Sequence, residues 1–344
     1  MSIEIIKDKG TWDTFVDDSP YGMLFHKWDL LKIIEKHTGY ELYTYGIYKG
    51  EELIGAVPMF YKKVKGVKLV YSPPQGTLVY IPYMGLIMSR KYMGLRQRKK
   101  ESYLDLAWAD VSHELKKLSA NFSSFTFVPG MNDIRPCIWD GYDVKLLYTY
   151  TIDLQRPLED IWNSFDQECR KNIKDCAQYG LSIKQTDDVD TYYKIMADGL
   201  KSQGDTFFQR QSPDYLKDLL AAFPQNIKMY FLYKEKDIIG VNVNCAYKDL
   251  YMGWGGDAVI QHGIKSTEYF NWETMKMARS SGFKTFENWG ADMKRLNQFK
   301  SKFNPTLVPY YHVRKKDTVG KLSEWGYDTI SGSRYLSFIK KIIT

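Results

Sequence analysis

The chain has 344 residues, 44% of them hydrophobic and 26% charged, with a net charge of +7 at pH 7. That length is generous for one core and comfortable for two, and the modest positive excess favours anionic partners such as phosphates, RNA or an acidic membrane face. Four cysteines without a C-x-x-C pair argue against disulfides and structural zinc, and neither an apolar leader nor a run of roughly 18 apolar residues is present, so a soluble, unprocessed chain in a reducing cytoplasm is expected.

In chain order, "YTYGIYKG" and "LIGAVPMFY" alternate and meet at Lys49-Gly50-Glu51, which predicts an antiparallel hairpin. Strand-like pieces follow at "VKLVYS" and "GTLVYI". A helix is predicted from Ser102 to Ser119, with Leu104, Ala107, Trp108, Val111, Leu115 and Leu118 on one face, and then a strand from Phe122 to Val128. The stretch from Leu158 to Ile183 reads as helical up to Gly180, and two further helices are expected over Val189–Gln203 and Pro213–Phe223.

The hairpin phrase then returns. "YKGEELIG" at Tyr48–Gly55 and "YKEKDIIG" at Tyr233–Gly240 share four of eight positions. Around the second copy the same order recurs: strands at "KMYFLYKE", "IIGVNVNCAY" and "LYMGWGG", a helix over Thr267–Ser281, and a strand "FKTFENW". The junctions also agree, Phe122-x-x-Phe125 against Phe283-x-x-Phe286. Hairpin glycine to junction phenylalanine spans 67 residues in the first copy and 43 in the second, a surplus that falls between Phe60 and Glu101. The shared order of elements and the matching junctions together point to a duplication. The expected fold class is α+β, in two related units at residues 1–150 and 151–344, each a mixed, mostly antiparallel sheet flanked by helices. The final "SRYLSFIKKIIT" carries an apolar stripe beside Lys340 and Lys341, suited either to a membrane surface or to the protein's own core.

Common nucleotide-binding, dinucleotide, zinc-protease and esterase motifs are missing, and the five histidines are scattered, so no metal site is expected. Chemistry therefore falls to carboxylates, Tyr, Lys and backbone amides. A helix amino terminus fed by a sheet is an anion site in waiting. In the second unit that position is "QHGIKSTEYF", where Gly263 permits close approach, Lys265 adds charge and Ser266 or Thr267 can cap; an ordinary capped helix start reads the same way. In the first unit the position falls in "RKYMGLRQRKKE", whose Arg96, Arg98 and Lys99 suit a phosphate or RNA backbone, or a solvated loop.

These features resemble those of tandem GNAT acyltransferases, in particular the Fem-type aminoacyltransferases. "CRKNIKDCAQYGLSI" is similar to that family's R-x-N-I-x-K-A-x-x-x-G-[VL]-x-I run, with Asp175 where Lys or Arg is usual. "FENWG" resembles its acidic strand end and "RLNQFKSKFNP" its L-x-x-F-K-x-x-F signature. The resemblance implies transfer of an aminoacyl group from aminoacyl-tRNA, or an acyl group from acyl-CoA, onto an amine of a cell-envelope precursor, peptide or amino sugar. It implies no tightly bound cofactor and no covalent enzyme intermediate. The setting it suggests is the cytoplasm or the inner face of the membrane.

Carried over by motif, Lys300 steadies developing negative charge and Arg170 holds a phosphate or carboxylate; a surface lysine and a structural ion pair are the plainer roles. Glu287 at the strand end and Asp257 after "GWGG" are candidate bases, or a cap and a turn residue. Asn242 and Asn244 share one strand face and would line the acceptor cleft or meet water, and Trp254 and Trp289 would stack on the donor or pack in the core. The R-x-x-G-x-G/A pyrophosphate loop of CoA-using members and the long helical hairpin of some tRNA-using members are both missing. A non-catalytic protein binding nucleic acid or the envelope surface on the same fold is the alternative.

Overall fold

The computed structural model describes residues 2–77, 79–202, 212–258, 264–292 and 294–322. These form two compact units. Unit 1 comprises residues 2–77, 81–147 and 309–322, and unit 2 comprises residues 79–80 together with the described part of 148–308. Gly263 and the amphipathic terminal segment lie outside the described residues, as do the side chains of Asp257 and Arg295.

Unit 1 opens with β1 (Ser2–Ile5), α1 (Lys9–Asp18) and α2 (Trp28–Thr38), followed by the hairpin β2 (Glu41–Lys49) and β3 (Glu52–Val64) and by β4 (Val67–Ser72). After short β5 (Ile87–Met88) and α3 (Arg90–Met93) come α4 (Gln97–Lys117), β6 (Phe122–Thr126) and α5 (Arg135–Trp139). Strand β7 (Asp143–Asp153) starts in this unit and ends in unit 2. Unit 2 continues with α6 (Leu158–Ser164), α7 (Gln167–Ala177), β8 (Ser182–Thr186), α8 (Val189–Ser202) and α9 (Asp214–Ala222). Its hairpin β9 (Ile227–Lys234) and β10 (Asp237–Tyr247) precedes β11 (Leu250–Ala258), α10 (Ser266–Ser280), β12 (Thr285–Asn288) and α11 (Lys294–Lys300). Strand β13 (Thr306–Lys316) returns the chain to unit 1.

The two units share one strand order. In unit 1 the order is β1-β2-β3-β4-β6-β13, with β5 added to β3; in unit 2 it is β8-β9-β10-β11-β12-β7. In each, the third and fourth strands pair antiparallel, the fourth and fifth parallel across a helix, and the sixth antiparallel again. The duplication is therefore complete from β1 and β8 onward, and α6 and α7 are additional to unit 2.

The repeated phrase also encodes the same irregularity. Tyr48 faces Leu53 and Ile47 faces Gly55, leaving Ile54 as the extra residue of a β-bulge; Tyr233 faces Ile238 and Leu232 faces Gly240, leaving Ile239. Both isoleucines are buried, at 1% and 0% exposure. A bulge at an apolar position turns the following strand without losing core area.

Three sequence expectations are corrected. The stretch from Leu158 is two helices, because Phe165 and Asp166 take extended backbone and drive the Phe165 ring into the core against Trp272 and Phe303, each 5.1 Å away between centroids. Helix α4 starts at Gln97, more than a turn ahead of Ser102, so the basic run is largely helical. Residues 79–81 are not a strand; Val79 and Tyr80 belong to unit 2.

Candidate active site at the parting of two strands

Strands β11 and β12 pair in parallel only from Leu250 opposite Thr285 to Gly253 opposite Asn288. Beyond that point β11 runs on beside β10 to Ala258 while β12 ends, and the two strands part. At the same level Val243 faces Gly255 and Asn244 faces Gly253, so Trp254 is the extra residue of a bulge in β11. Gly256 is required here, since a Cβ would lie 2.4 Å from the carbonyl oxygen of Val241. Bulges of this kind re-aim side chains and concentrate next to active sites.

The bulge aims Trp254 inward, where the buried indole donates from Nε1 to the Tyr80 carbonyl at 2.6 Å. The Tyr80 ring stacks on Trp289, with centroids 5.1 Å apart and planes 20° from parallel. A segment from the first half of the chain thus links both tryptophans of the notch. Composition offered no signal for Tyr80, one of 27 tyrosines.

Glu287 lies in β12 and is 2% exposed. Thr149 of β7, itself fully buried, donates from Oγ1 to Glu287 Oε1 at 2.7 Å. Lys300 ends α11 and donates from Nζ to the carbonyls of Trp289 and, at 3.2 Å, Gly290. Gly290 has φ +88°, a conformation that turns the chain sharply after β12 and that side-chain-bearing residues resist. Burial brings the Lys300 ammonium down to about 8, with the Glu287 carboxylate acting in the opposite sense. The lysine is therefore mostly charged at pH 7 and close to its titration. Two buried donors at the end of β12, Trp289 Nε1 and Asn288 Nδ2, have no acceptor among the described residues. Such donors are costly unless something accepts from them. The Cys245 thiol is held well above its usual range by burial, with Glu287 adding to the shift, so it is not a thiolate nucleophile.

The other sequence candidates take varied positions. Asn242 donates to Thr274 Oγ1 of α10 at 3.3 Å and accepts from Asn244 Nδ2 at 3.0 Å, so this face of β10 meets a helix and not open water. Arg170 is engaged locally: its Nη1 donates to the carbonyls of Asn163, at 2.9 Å, and Phe165, tying α7 to the end of α6. Asp257 pairs through its backbone with Val241.

At the start of α10, Lys265 is exposed, Ser266 is buried with its hydroxyl donating to the Ile239 carbonyl at 3.2 Å, and Thr267 is half-buried. That helix end already holds a carboxylate. Glu268, 5% exposed, accepts from Asn172 Nδ2 at 3.0 Å and lies 3.6 Å from Lys302 Nζ. In unit 1, Arg90 and Lys91 are paired with Asp18 and Glu52, whereas Arg96, Arg98 and Lys99 are exposed with no ion-pair partner among the described residues. No group of three or more His, Cys, Asp or Glu that could hold a metal occurs among the described residues, and none of their helices is long and apolar enough to cross a membrane.

Residues 163–301 match the acetyltransferase (GNAT) domain family. No curated protein sequence matches the chain. Among solved structures it is similar to FemX, at 13% identity and a TM-score of 0.67 over 90% of this chain and 97% of that one. It is also similar to the C-terminal domain of a protein from Agrobacterium fabrum designated a lysylphosphatidylglycerol synthetase, at 13% identity and a TM-score of 0.57 over 96% and 99%. A tandem GNAT protein of the clavulanic acid biosynthesis pathway aligns at 10% identity and a TM-score of 0.53 over 92% and 98%. At these identities the likeness to the solved structures is one of fold.

Proposed function

We propose, from the premise that residues 163–301 are a GNAT acetyltransferase domain within a fold shared with Fem-type and tandem GNAT proteins, that this chain is an N-acyltransferase whose site is the notch between β11 and β12. The observation that carries this reading is the half-buried Lys300 ammonium, held on the two carbonyls that follow β12 and within electrostatic reach of the buried carboxylate of Glu287.

The reaction is attack of an acceptor amine on an activated acyl carbon. A C–N bond forms, and the C–O bond of an aminoacyl-tRNA ester or the C–S bond of an acyl-CoA thioester breaks. Glu287, positioned by Thr149, takes the proton that the amine loses, and Asp257 is a second candidate for that role. Lys300 uses two of its protons on backbone carbonyls and keeps a third for the oxygen that becomes negative in the tetrahedral intermediate. Glu287 then returns that proton to the leaving oxygen or sulfur, so charge and atoms balance. Trp289 Nε1 and Asn288 Nδ2 offer donors to the acyl donor's polar groups, and Asn242 and Asn244 face α10 along the acceptor side.

Aminoacyl-tRNA is the favoured donor, with Arg96, Arg98 and Lys99 on its phosphates; acyl-CoA at the start of α10, near Gly263, Lys265, Ser266 and Thr267, is the other. The acceptor is an amine of an envelope precursor, peptide or amino sugar, with the protein in the cytoplasm or against the inner membrane face. The test is a mass-spectrometric screen pairing aminoacyl-tRNAs and acyl-CoAs with amine acceptors: a product heavier by one acyl group, lost in Lys300→Ala and Glu287→Gln, supports the reading. Full turnover in both variants rejects the site.

The unpaired Arg96, Arg98 and Lys99 favour a second reading, a non-catalytic binder of nucleic acid or the envelope surface. Binding abolished by neutralising those three residues, with no product formed from any donor, identifies that alternative.

A further inference from the structure

Comparing the two copies strand by strand locates an insertion in unit 1. In unit 2 the third strand of the repeat, β11, is continuous: Tyr251 faces Phe286, Gly253 faces Asn288, and Asp257 and Ala258 face Val241 and Gly240 of β10. Unit 1 meets the equivalent partners with separate pieces of chain. Ser72 at the end of β4 faces Phe125, Met84 bridges to Phe127, and Ile87 and Met88 of β5 face Ala56 and Gly55. Strands β4 and β5 are therefore two halves of one strand, and the chain between Ser72 and Met84 is an excursion from its middle.

The base of this excursion is fixed. The Gly85 backbone N–H donates to Ser72 Oγ at 3.0 Å, that of Met84 donates to the Thr126 carbonyl at 2.9 Å, and Ser72, Tyr83 and Met84 are fully buried. Its far end, Val79 and Tyr80, packs within unit 2. Val79 is buried against β11 at Gly255, where a Cβ would come within 3.3 Å of Val79 Cγ1 and 3.1 Å of the Tyr192 hydroxyl. Glycine at 255 is what lets the excursion lie so close. The Tyr80 carbonyl then accepts from Trp254 Nε1 at 2.6 Å, so the backbone of this segment is anchored on both sides of its bend toward the notch.

The Tyr80 side chain has a different character from its anchor. Trp254 and Glu287 are buried, whereas Tyr80 is 38% exposed, with its ring stacked on Trp289. Trp289 follows Glu287 by two residues, and its carbonyl accepts from Lys300. Glu287 and Lys300 are the groups assigned to the proton and to the oxyanion, so the carbon they act on lies beside them, and whatever that carbon carries meets the stacked pair. A ring on an anchored backbone, braced by a second ring, is a stiff wall.

We propose that Tyr80 is a specificity-determining residue of the acyl-transfer site: its ring, braced on Trp289, limits the size of the group carried on the acyl carbon. The inference rests on the assignment of Glu287 and Lys300 to that reaction. It gives the extra chain of the first copy a role in the second, since the excursion that splits the strand of unit 1 supplies a wall that unit 2 lacks in its own repeat. Discrimination by such a wall is steep, because one methylene too many in a fitted apolar pocket changes kcat/KM by roughly 10- to 200-fold.

The test pairs a short with a long group on one carrier, acetyl-CoA against hexanoyl-CoA and alanyl against phenylalanyl on one tRNA, with kcat/KM measured on whichever carrier gives product. The parent is expected to prefer the shorter group, Tyr80→Ala to narrow that preference about tenfold or more, and Tyr80→Phe, which keeps the ring, to retain it. Tyr80→Leu replaces the alanine variant if circular dichroism or melting shows that one to be misfolded. Hydroxyl-radical footprinting read by mass spectrometry checks the wall without turnover: Trp289 should be oxidised faster in Tyr80→Ala, and Trp254, which is bonded to the backbone carbonyl, at the parent's rate. A folded Tyr80 variant without the ring that keeps the parent's preference overturns the inference and leaves the acyl-transfer reading standing, as do a parent preference for the longer group and unchanged oxidation of Trp289. Absence of product from the parent on every carrier rejects the acyl-transfer reading itself, and this inference with it.

Discussion

The Lys300 ammonium lies 3.2 Å from the carbonyl oxygen of Gly290 and donates also to Trp289, so one half-buried lysine closes the turn that ends β12. Its position depends on a backbone geometry that only glycine adopts readily. Structure and proposed chemistry thus rest on the same contact, and they can be separated experimentally.

Removing the ammonium with Lys300→Ala should lower the acyl-transfer rate about 10²- to 10³-fold, the usual effect of losing one oxyanion donor. In the parent, activity that needs the charged lysine should fall as pH rises through about 8. Lys300→Arg should move that alkaline limb out of range while keeping part of the activity. Initial rates across the pH range decide this, and an unchanged limb in both variants rules the lysine out.

The same group makes stability depend on pH with a definite sign. Unfolded, Lys300 holds its proton up to about 10.5; folded, only up to about 8. Between these values the unfolded chain binds more protons, so raising pH favours the fold. Urea unfolding should show the parent gaining stability over Lys300→Met between pH 8 and 10, by on the order of 1 kcal/mol per unit less a discount for partial exposure. Parallel curves for the two proteins contradict the assignment.

Glu287→Gln should cut turnover about 10²- to 10⁴-fold by removing a proton acceptor. Thr149→Val removes the hydroxyl that orients Glu287 and should cost about 0.5–1.5 kcal/mol of stability with a smaller loss of rate. Melting curves measured beside steady-state rates distinguish the positioning role from the chemical one.

Gly290→Ala forces a side chain into the left-handed region and should destabilise the protein by roughly 1–2 kcal/mol. Because the turn carries both carbonyls that hold Lys300, its activity should drop further than the stability loss explains. Rates measured well below the variant's melting temperature provide the check.

Ending the chain at residue 305 should damage unit 1, although the cut lies in unit 2. Strand β13 pairs with β6 from His312–Thr126 to Lys316–Phe122, and its loss exposes the β6 edge. Hydrogen exchange should show protection lost in β6 and β4, with aggregation in place of a stable truncated protein.

Much of the fold was legible because its signals are local. The "YKGEELIG" and "YKEKDIIG" turns, the alternating strands beside them and the 3.6-residue stripe of α4 depend on neighbours a few residues away. Lys300, Glu287, Trp254 and Trp289 were recognisable as candidates by motif and residue type, although nothing in the sequence stated their mutual positions. Where neighbouring signals conflicted, local reading failed: Phe165 keeps helical spacing, yet the helix ends there in extended backbone and the ring packs in the core against Phe303.

By itself, then, the sequence determined the duplicated order of strands and helices and the residue types available to the chemistry. Tertiary structure alone decided that β7 pairs with β12 in unit 2 while β13 pairs with β6 in unit 1, that Tyr80 bridges Trp254 and Trp289, and that Thr149 holds Glu287. The reason is physical. Strand character is written in side-chain alternation, but which strand pairs with which is settled by backbone hydrogen bonds and burial between segments far apart in the chain, and these leave no local mark.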